Sequence, residues 1–163
     1  MIKLNIGCGD DYKESNENEE WINVDVSPNV RCDKVMNLEN IPYDFPDNTF
    51  DYIYAKHIIE HISRDKFIDV MRELHRIAKP DAIIHIISPL NKFWNDPTHK
   101  NPTTPETFHY FSNPRMSRIY NLPKFEVIKE RITSDKINTI PKKLSFFVPF
   151  LSMDFEILIR VKK

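Results

Sequence analysis

The chain has 163 residues, 40% of them hydrophobic and 12% aromatic, which is enough for one domain with its own core and too few for two. Its net charge is −1, and its 23 basic residues form no basic stripe of the kind found in duplex-binding proteins, so we expect no nucleic-acid partner. No apolar run approaches the roughly 20 residues of a membrane span, and with two cysteines and no signal-peptide pattern this predicts a cytoplasmic protein.

Short apolar segments in the first half of the chain predict four strands. Each combines branched aliphatic or aromatic residues with turn-forming residues at its ends. The segment between the first two strands, residues 10–20, is polar and acidic and predicts a loop. The four predicted strands are residues 2–6, 21–26, 33–36 and 50–55.

After residue 60 the chain continues with alternating helix and strand. Apolar residues recur at helical spacing over residues 64–78, and the near-continuous apolar run at 82–87 is typical of a parallel strand covered on both faces. Two further strands are predicted at residues 125–132 and 154–161. This order predicts an α/β fold, a Rossmann-like, doubly wound, mostly parallel sheet of seven strands with a reversed edge strand, in a single domain over residues 1–163.

Two segments of the second half have no clear periodicity. Residues 91–122 are rich in Asn, Pro, Thr, His and aromatic residues and are too long for a structureless loop. We expect them to hold short helices and to close over the substrate site as a lid, unless their aromatic side chains only extend the core. Residues 146–151 are apolar and could line a substrate pocket, form an interface or dock on a membrane.

Both glycines of the chain lie in Gly7-Cys8-Gly9, directly after the first predicted strand, whereas average usage would give about eleven glycines in this length. An isolated Gly-x-Gly is often only a tight turn. Here, however, Asp25 ends the second strand, where a carboxylate can accept both hydroxyls of a ribose, and Asn37 follows the third, where an amide can meet an adenine edge. Together these residues predict a nucleoside site.

The residues after the glycine turn distinguish between two kinds of nucleoside cofactor. A dinucleotide would place its pyrophosphate there, but Asp10 and Asp11 supply two carboxylates at this point. Repulsion between like charges disfavours NAD, and with it a nicotinamide-dependent oxidoreductase. S-adenosylmethionine, which carries a nucleoside but no phosphate, fits the site better.

Four segments of the first half form an ordered series of motifs. Residues 4–9 read LNIGCG, 41–51 read IPYDFPDNTFD, 57–62 read HIIEHI and 72–80 read RELHRIAKP. In this order they are similar to the first motif, the "LPF…PDNSFD" segment, the "HVLEH" segment and the "REL.RVLKPGG" segment of class I S-adenosylmethionine-dependent methyltransferases, specifically the small type 11 family. The resemblance implies methyl transfer from S-adenosylmethionine to a small or medium acceptor that the sequence does not identify.

The resemblance also implies which residues hold the cofactor. The glycine turn would pass under its methionine part, Asp25 would bind the ribose, Asn37 and Leu38 would border the adenine, and the residues after the fourth strand would face the sulfonium. The full set that the resemblance implies is Asn5, Gly7, Cys8, Gly9, Asp25, Val26, Asn37, Leu38, Ala55 and Lys56.

Three of the departures from the family pattern bear on function. Asn5 and Asn37 stand where the family has aspartates, and Asp11 stands where it has a third glycine. These departures favour an alternative function, a degenerate, non-catalytic S-adenosylmethionine-binding or regulatory module.

Histidines supply the candidate catalytic groups. His57 follows the fourth strand and His99 lies in the lid segment, and both are predicted to take a proton from the acceptor because imidazole titrates near neutral pH. Glu60 and His61 are expected to be structural. The histidines show no metal-ligand spacing, so no metal site is predicted. No Asn-Pro-Pro-Tyr follows the fourth strand, which disfavours a nucleobase acceptor.

Overall fold

Residues 1–90, 95–134 and 153–163 are described in the computed structural model of the chain. The apolar segment 146–151 lies outside them. No helix among these residues is long and apolar enough to cross a membrane. The elements in chain order are β1 Ile2–Ile6, β2 Glu20–Asp25, β3 Lys34–Val35, β4 Phe50–Lys56, a 3₁₀ helix Ile59–His61, α1 Phe67–Ile77, β5 Ala78–Pro89, α2 Pro105–Ser112, α3 Pro114–Tyr120, β6 Phe125–Ser134 and β7 Met153–Val161.

Seven strands form one sheet in the order β3-β2-β1-β4-β5-β7-β6. The first five run parallel, whereas β7 is antiparallel to both of its neighbours. The predicted α/β sheet of seven strands with a reversed strand is confirmed, and β7 lies between β5 and the outermost strand β6. The strand order changes direction between β1 and β4, so the carboxyl edge at this point is where ligands bind in open α/β sheets.

Helix α1 covers the sheet through one apolar face. It begins at Phe67 rather than at residue 64, because a turn closed by the N–H of Lys66 on the carbonyl of Ser63 precedes it. Its helical spacing places the apolar side chains on one side, as predicted. The buried apolar residues of this face are Phe67, Val70, Met71, Leu74 and Ile77.

One carboxylate ties α1 to the loop before β4. Glu73 is buried and accepts hydrogen bonds from the N–H of Tyr43 at 2.5 Å and from the guanidinium of Arg76 at 2.6 and 3.0 Å. The guanidinium holds the pKa of Glu73 below its ordinary value of 4.5. The ionised carboxylate therefore fixes the loop that leads from the third to the fourth strand.

Strand β5 begins earlier than the predicted residues 82–87. Phe50 of β4 pairs with Ala78, and the register then shifts, with Asp81 in a left-handed conformation at φ +61°. Asp51 stabilises this end of the sheet, since its Oδ1 accepts from Nζ of Lys79 at 2.8 Å and its Oδ2 from the N–H of Ile2 at 2.8 Å. The amino ends of β1, β4 and β5 are thereby joined by one side chain.

Helices α2 and α3 form within the predicted lid segment, of which residues 91–94 lie outside the described chain. Phe108 and Phe111 of α2 are buried and contact Phe67, Phe125 and Phe155 edge-on or tilted. The expected short helices are present. The phenylalanine side chains of α2 contribute to the core on the side of β6 and β7, whereas Tyr110 is exposed.

Candidate functional site

The turn after β1 holds both glycines in the same backbone conformation, and one of them is also confined by a neighbouring side chain. Gly7 and Gly9 both have left-handed backbone, with φ of +62° and +47°. A Cβ at Gly7 would in addition lie 2.5 Å from Cγ1 of Ile58, whereas a Cβ at Gly9 would meet nothing within 4 Å. The N–H of Cys8 donates to the carbonyl of Val24 at 3.0 Å. The turn is thus fixed by close packing on Ile58 and by pairing with β2.

Asp25, at the end of β2, connects this strand to the glycine turn. Its Oδ2 accepts from the N–H of Gly9 at 2.9 Å, and its Oδ1 accepts from the N–H of Ser27 at 2.9 Å. Each carboxylate oxygen can accept a second hydrogen bond. The side chain is half-buried, so it orients the turn and can still accept from a ligand.

A cavity of about 200 Å³ lies at the carboxyl edge of β1, β2 and β3. Four residues of the predicted cofactor set line it, namely Gly7, Val26, Asn37 and Leu38. Six further lining residues were not assigned from the sequence: Met36, Glu39, Ile58, His61, Ile62 and Lys100. Most of these follow a strand end or lie in the HIIEHI segment, so proximity to the predicted motifs was the only sequence signal for them.

Asn5, another member of the predicted set, lies beneath the acidic loop. It is buried, and its Nδ2 donates to the carbonyl of Asp11 at 2.8 Å and to Oδ1 of Asn23 at 3.0 Å. Asn23 is fully buried opposite Asn5 in the β1–β2 register, and its amide exchanges hydrogen bonds with the backbone of Lys13. Two side-chain amides therefore hold residues 10–19 against the sheet.

Cys8 packs inside the turn. Its side chain is buried, and its Sγ lies 3.5 Å from the carbonyl oxygen of Arg31. Burial, and secondly the charge of Asp25, raise the pKa of the thiol to about 11. The thiol therefore stays protonated and unreactive at neutral pH.

The two predicted residues at the end of β4 differ in exposure. Ala55 is fully buried and pairs in the sheet with Ile6 on one side and Ile86 on the other. Lys56 is exposed. Neither lines the 200 Å³ cavity. Their assigned position at the sulfonium stays a prediction.

His57, directly after β4, adopts a left-handed conformation at φ +52°, which is uncommon for a residue with a side chain and often occurs at functional sites. Its N–H donates to the carbonyl of Ile87 at 2.9 Å. Nε2 lies 3.4 Å from Oδ2 of Asp154, and Nδ1 lies 3.4 Å from Oε1 of Glu60. The two carboxylates, Asp154 first, raise the pKa of His57 to about 9, and they hold the ring in one orientation.

His99, the second predicted catalytic residue, lies beside the 3₁₀ helix rather than beside His57's carboxylate partner Asp154. Its ring centroid is 4.8 Å from that of His61, and the planes are nearly perpendicular. The N–H groups of Lys100 and Asn101 donate to the carbonyl of Glu60 at 2.8 and 3.0 Å. These backbone bonds attach the described start of the lid segment to the HIIEHI segment.

Comparisons with known proteins agree with this geometry. A family model described as a methyltransferase domain of type 11 matches residues 4–86, just over half of the chain. The chain belongs to this methyltransferase family. Among curated proteins, none matches the chain significantly. The predicted resemblance to class I S-adenosylmethionine-dependent methyltransferases is confirmed.

Solved structures show the same fold at low sequence identity. An S-adenosylmethionine-dependent methyltransferase from Archaeoglobus fulgidus is 19% identical with a TM-score of 0.65, over 98% of this chain and 85% of that one. One from Methanosarcina mazei is 16% identical with a TM-score of 0.60, over 99% and 92%. A third match is a complex of the Haloferax volcanii Trm112 methyltransferase activator with a candidate methyltransferase. Its matching chain is 13% identical with a TM-score of 0.66, over 99% of this chain and 83% of that one.

The methyltransferase motifs occupy one part of the molecule. The matched residues 4–86 run from β1 into β5 and include the glycine turn, Asp25 and the HIIEHI segment. Helices α2 and α3 and strands β6 and β7 follow the matched part. All the residues that the sequence predicts to bind the cofactor are thus within the matched part.

Proposed function

We propose that this methyltransferase binds S-adenosylmethionine at the carboxyl edge of β1, β2 and β3 and transfers its methyl group to a small or medium acceptor. The observation that carries the proposal is the cavity beside the glycine turn. Gly7 approaches it with bare backbone, and Val26 and Leu38 offer apolar side chains to a flat ring. The adenine would lie between these two side chains, next to Asn37.

The ribose and methionine positions follow from the same geometry. Asp25 stands between the cavity-lining Val26 and the turn, and each of its oxygens can accept a ribose hydroxyl in addition to its backbone donor. The methionine part would then cross the turn at Gly7 and Gly9 toward the end of β4. This course directs the methyl group toward Lys56 and His57.

Methyl transfer is an in-line displacement at the sulfonium carbon, which depends mainly on how the acceptor is positioned. We propose that His57 and His99 contact the acceptor. His57 is the first candidate because it directly follows β4 and because Asp154 and Glu60 hold its ring in place. The acceptor is proposed to be a small molecule rather than nucleic acid.

Residues 1–163 are proposed to form a single domain, with the segment that begins near residue 95 contributing to the acceptor side. The cytoplasm is the proposed location, since Cys8 and Cys32 are both free and unpaired thiols suit a reducing compartment.

A non-catalytic S-adenosylmethionine-binding module is the second candidate. Its support is the set of departures from the family motifs at Asn5, Asp11 and Asn37. A fold alone does not establish turnover. Measured release of S-adenosylhomocysteine in the presence of an acceptor separates the two candidates.

Calorimetric titration with S-adenosylhomocysteine and, separately, with NAD tests the cofactor assignment. We expect binding of S-adenosylhomocysteine and none of NAD, because Asp10 and Asp11 flank the turn where a pyrophosphate would lie. Tight binding of NAD with no response to S-adenosylhomocysteine would overturn the proposal.

A further inference from the structure

Glu60, His61 and His99 converge beside the cofactor cavity. One candidate ligand atom of each lies within 4.8 Å of the other two. Glu60 and His61 belong to the 3₁₀ helix, and the backbone bonds from Lys100 and Asn101 to the carbonyl of Glu60 hold His99 near them. His61 also lines the cavity. The fold therefore assembles two imidazoles and a carboxylate from two separate segments.

The carboxylate of Glu60 is not fully satisfied by the described chain. The side chain is fully buried, and Oε2 accepts from the hydroxyl of Ser88 at 3.0 Å. Oε1 has no hydrogen-bond partner among the described residues, and its 3.4 Å contact with Nδ1 of His57 lacks hydrogen-bond geometry. Burying a carboxylate oxygen without a hydrogen-bond donor is unfavourable. The imidazole of His57 supplies charge nearby but no hydrogen bond, whereas a metal cation would bind this carboxylate directly.

The hydrogen bonds around His61 indicate which ring nitrogen can bind a cation. The hydroxyl of Thr98 donates its proton to Oδ1 of Asp96 at 2.6 Å. The hydroxyl oxygen must therefore accept a hydrogen bond from Nδ1 of His61, which is 3.1 Å away. The proton of the neutral imidazole therefore lies on Nδ1. Nε2 is left with its lone pair, which is the form that ligates a metal.

Asp96 and Thr98, which belong to one loop, contact both imidazole rings. Asp96 places Oδ2 3.6 Å from Nε2 of His99, and Thr98 bonds the ring of His61. Metal-binding histidines usually have a hydrogen-bond partner on the nitrogen that does not bind the metal, because it fixes the ring and its tautomer. Thr98 supplies that bond to His61, whereas Asp96 gives His99 an electrostatic contact beyond hydrogen-bond distance. The backbone of Thr98 is fixed in turn by its own bond to Asp96 at 2.8 Å.

We propose that Glu60, His61 and His99 bind one divalent transition-metal ion at the edge of the cofactor cavity, with Zn²⁺ as the best match. One carboxylate and two imidazoles form the donor set of zinc sites that keep a coordination position open. Zinc bonds of about 2.1 Å in a tetrahedron separate ligand atoms by about 3.4 Å, so side-chain rotation must close the widest gap from 4.8 Å. Mg²⁺ and Ca²⁺ prefer oxygen ligands and fit less well.

With the metal bound, His99 would lie on the acceptor side as a metal ligand and not as a group that takes a proton. A metal-bound nitrogen of His99 has no lone pair for the acceptor's proton. The inference does not depend on methyl transfer, since it concerns metal binding by the chain itself.

Metal binding to the tag-free, full-length chain tests the site. The protein is stripped with a chelator, desalted and titrated with Zn²⁺ against a chromophoric competitor, and Co²⁺ serves as a spectroscopic probe. We expect one ion per chain and visible Co²⁺ bands. His99→Gln and Glu60→Gln should each weaken Zn²⁺ binding at least about tenfold, the lower range for disturbing a metal site. His109→Gln is the matched control, because His109 is exposed, pairs with Glu130 and belongs to neither the cluster nor the cavity lining.

Substoichiometric Zn²⁺ binding by the wild-type chain would overturn the inference. So would unchanged binding by His99→Gln, a variant whose folding is checked by its melting temperature. If Glu60→Gln does not fold, His99→Gln alone decides. Titration of the stripped protein with S-adenosylhomocysteine tests the cofactor site separately, so failure of one proposal is distinguishable from failure of the other.

Discussion

Replacing Asp25 by alanine is the most direct test of the cofactor site. In the proposed complex each oxygen of Asp25 accepts a ribose hydroxyl besides its backbone donor at 2.9 Å. A hydrogen bond to a charged group contributes about 1.5–3 kcal/mol, so losing two weakens binding by about 3–6 kcal/mol. Because about 1.4 kcal/mol corresponds to a factor of ten, even the lower value predicts roughly 100-fold weaker binding of S-adenosylhomocysteine.

The assay for this variant is calorimetric titration, with melting temperatures recorded in parallel. The parallel measurement is needed because Asp25→Ala also removes the acceptors of Gly9 and Ser27. Asp25→Asn keeps the shape and one acceptor oxygen, and should bind with intermediate affinity. Asp44→Ala is the control, since that side chain is 97% exposed and, among the described residues, pairs with Lys34 alone. If both Asp25 variants fold normally and bind S-adenosylhomocysteine like the wild type, the ribose lies elsewhere.

Three further predictions concern stability and reactivity. Gly7→Ala should destabilise the chain more than Gly9→Ala in urea unfolding. The left-handed backbone costs each alanine about 1–2 kcal/mol, and only an alanine at residue 7 would also clash with Ile58. Equal losses of unfolding free energy would contradict the packing at the turn. Glu73→Gln should lower the free energy of unfolding by about 1.5–3 kcal/mol at neutral pH. The pKa of Glu73 in the folded chain is lowered from 4.5, so its contribution to stability is present above that pH. Below that pH the difference in unfolding free energy between variant and wild type should shrink. A difference that does not change with pH would exclude the ion pair as the source of the stabilisation. Cys8, with its pKa raised to about 11, should resist iodoacetamide near pH 8 until the protein is unfolded; rapid alkylation in the native state would show that the thiol is not buried.

The sheet was largely predictable because its strands carry their own local signals. Continuous apolar runs and turn residues marked β1, β2, β4, β6 and β7 within a few residues. The early start of β5 at Ala78 was not predictable, since the Lys79-Pro80-Asp81 sequence favours a break. The pairing there depends on a register shift against β4 and on the ion pair between Lys79 and Asp51. These contacts join segments that are distant in the sequence, so the hydrophobic periodicity of the sequence does not reveal them.

The candidate site was predictable only where a motif follows a strand end. Gly7, Val26, Asn37 and Leu38 line the cavity because each follows β1, β2 or β3 at the carboxyl edge. Lys100 lines the same cavity without any sequence signal, because its place depends on backbone bonds between the lid segment and Glu60. Side chains brought in by such bonds become visible only in the folded chain.

The departure at Asn5 has a structural cause that is independent of cofactor binding. Its amide donates to the carbonyl of Asp11 and to Oδ1 of Asn23. An ionised aspartate, as in the family motif, would face two acceptor oxygens there without a proton to offer, at a position that is 2% exposed. Asparagine is therefore required by the polar loop that follows the glycine turn in this chain. Because this substitution follows from how residues 10–19 are held, it gives no support to a loss of cofactor binding, and the non-catalytic alternative depends on the departures at Asp11 and Asn37 alone.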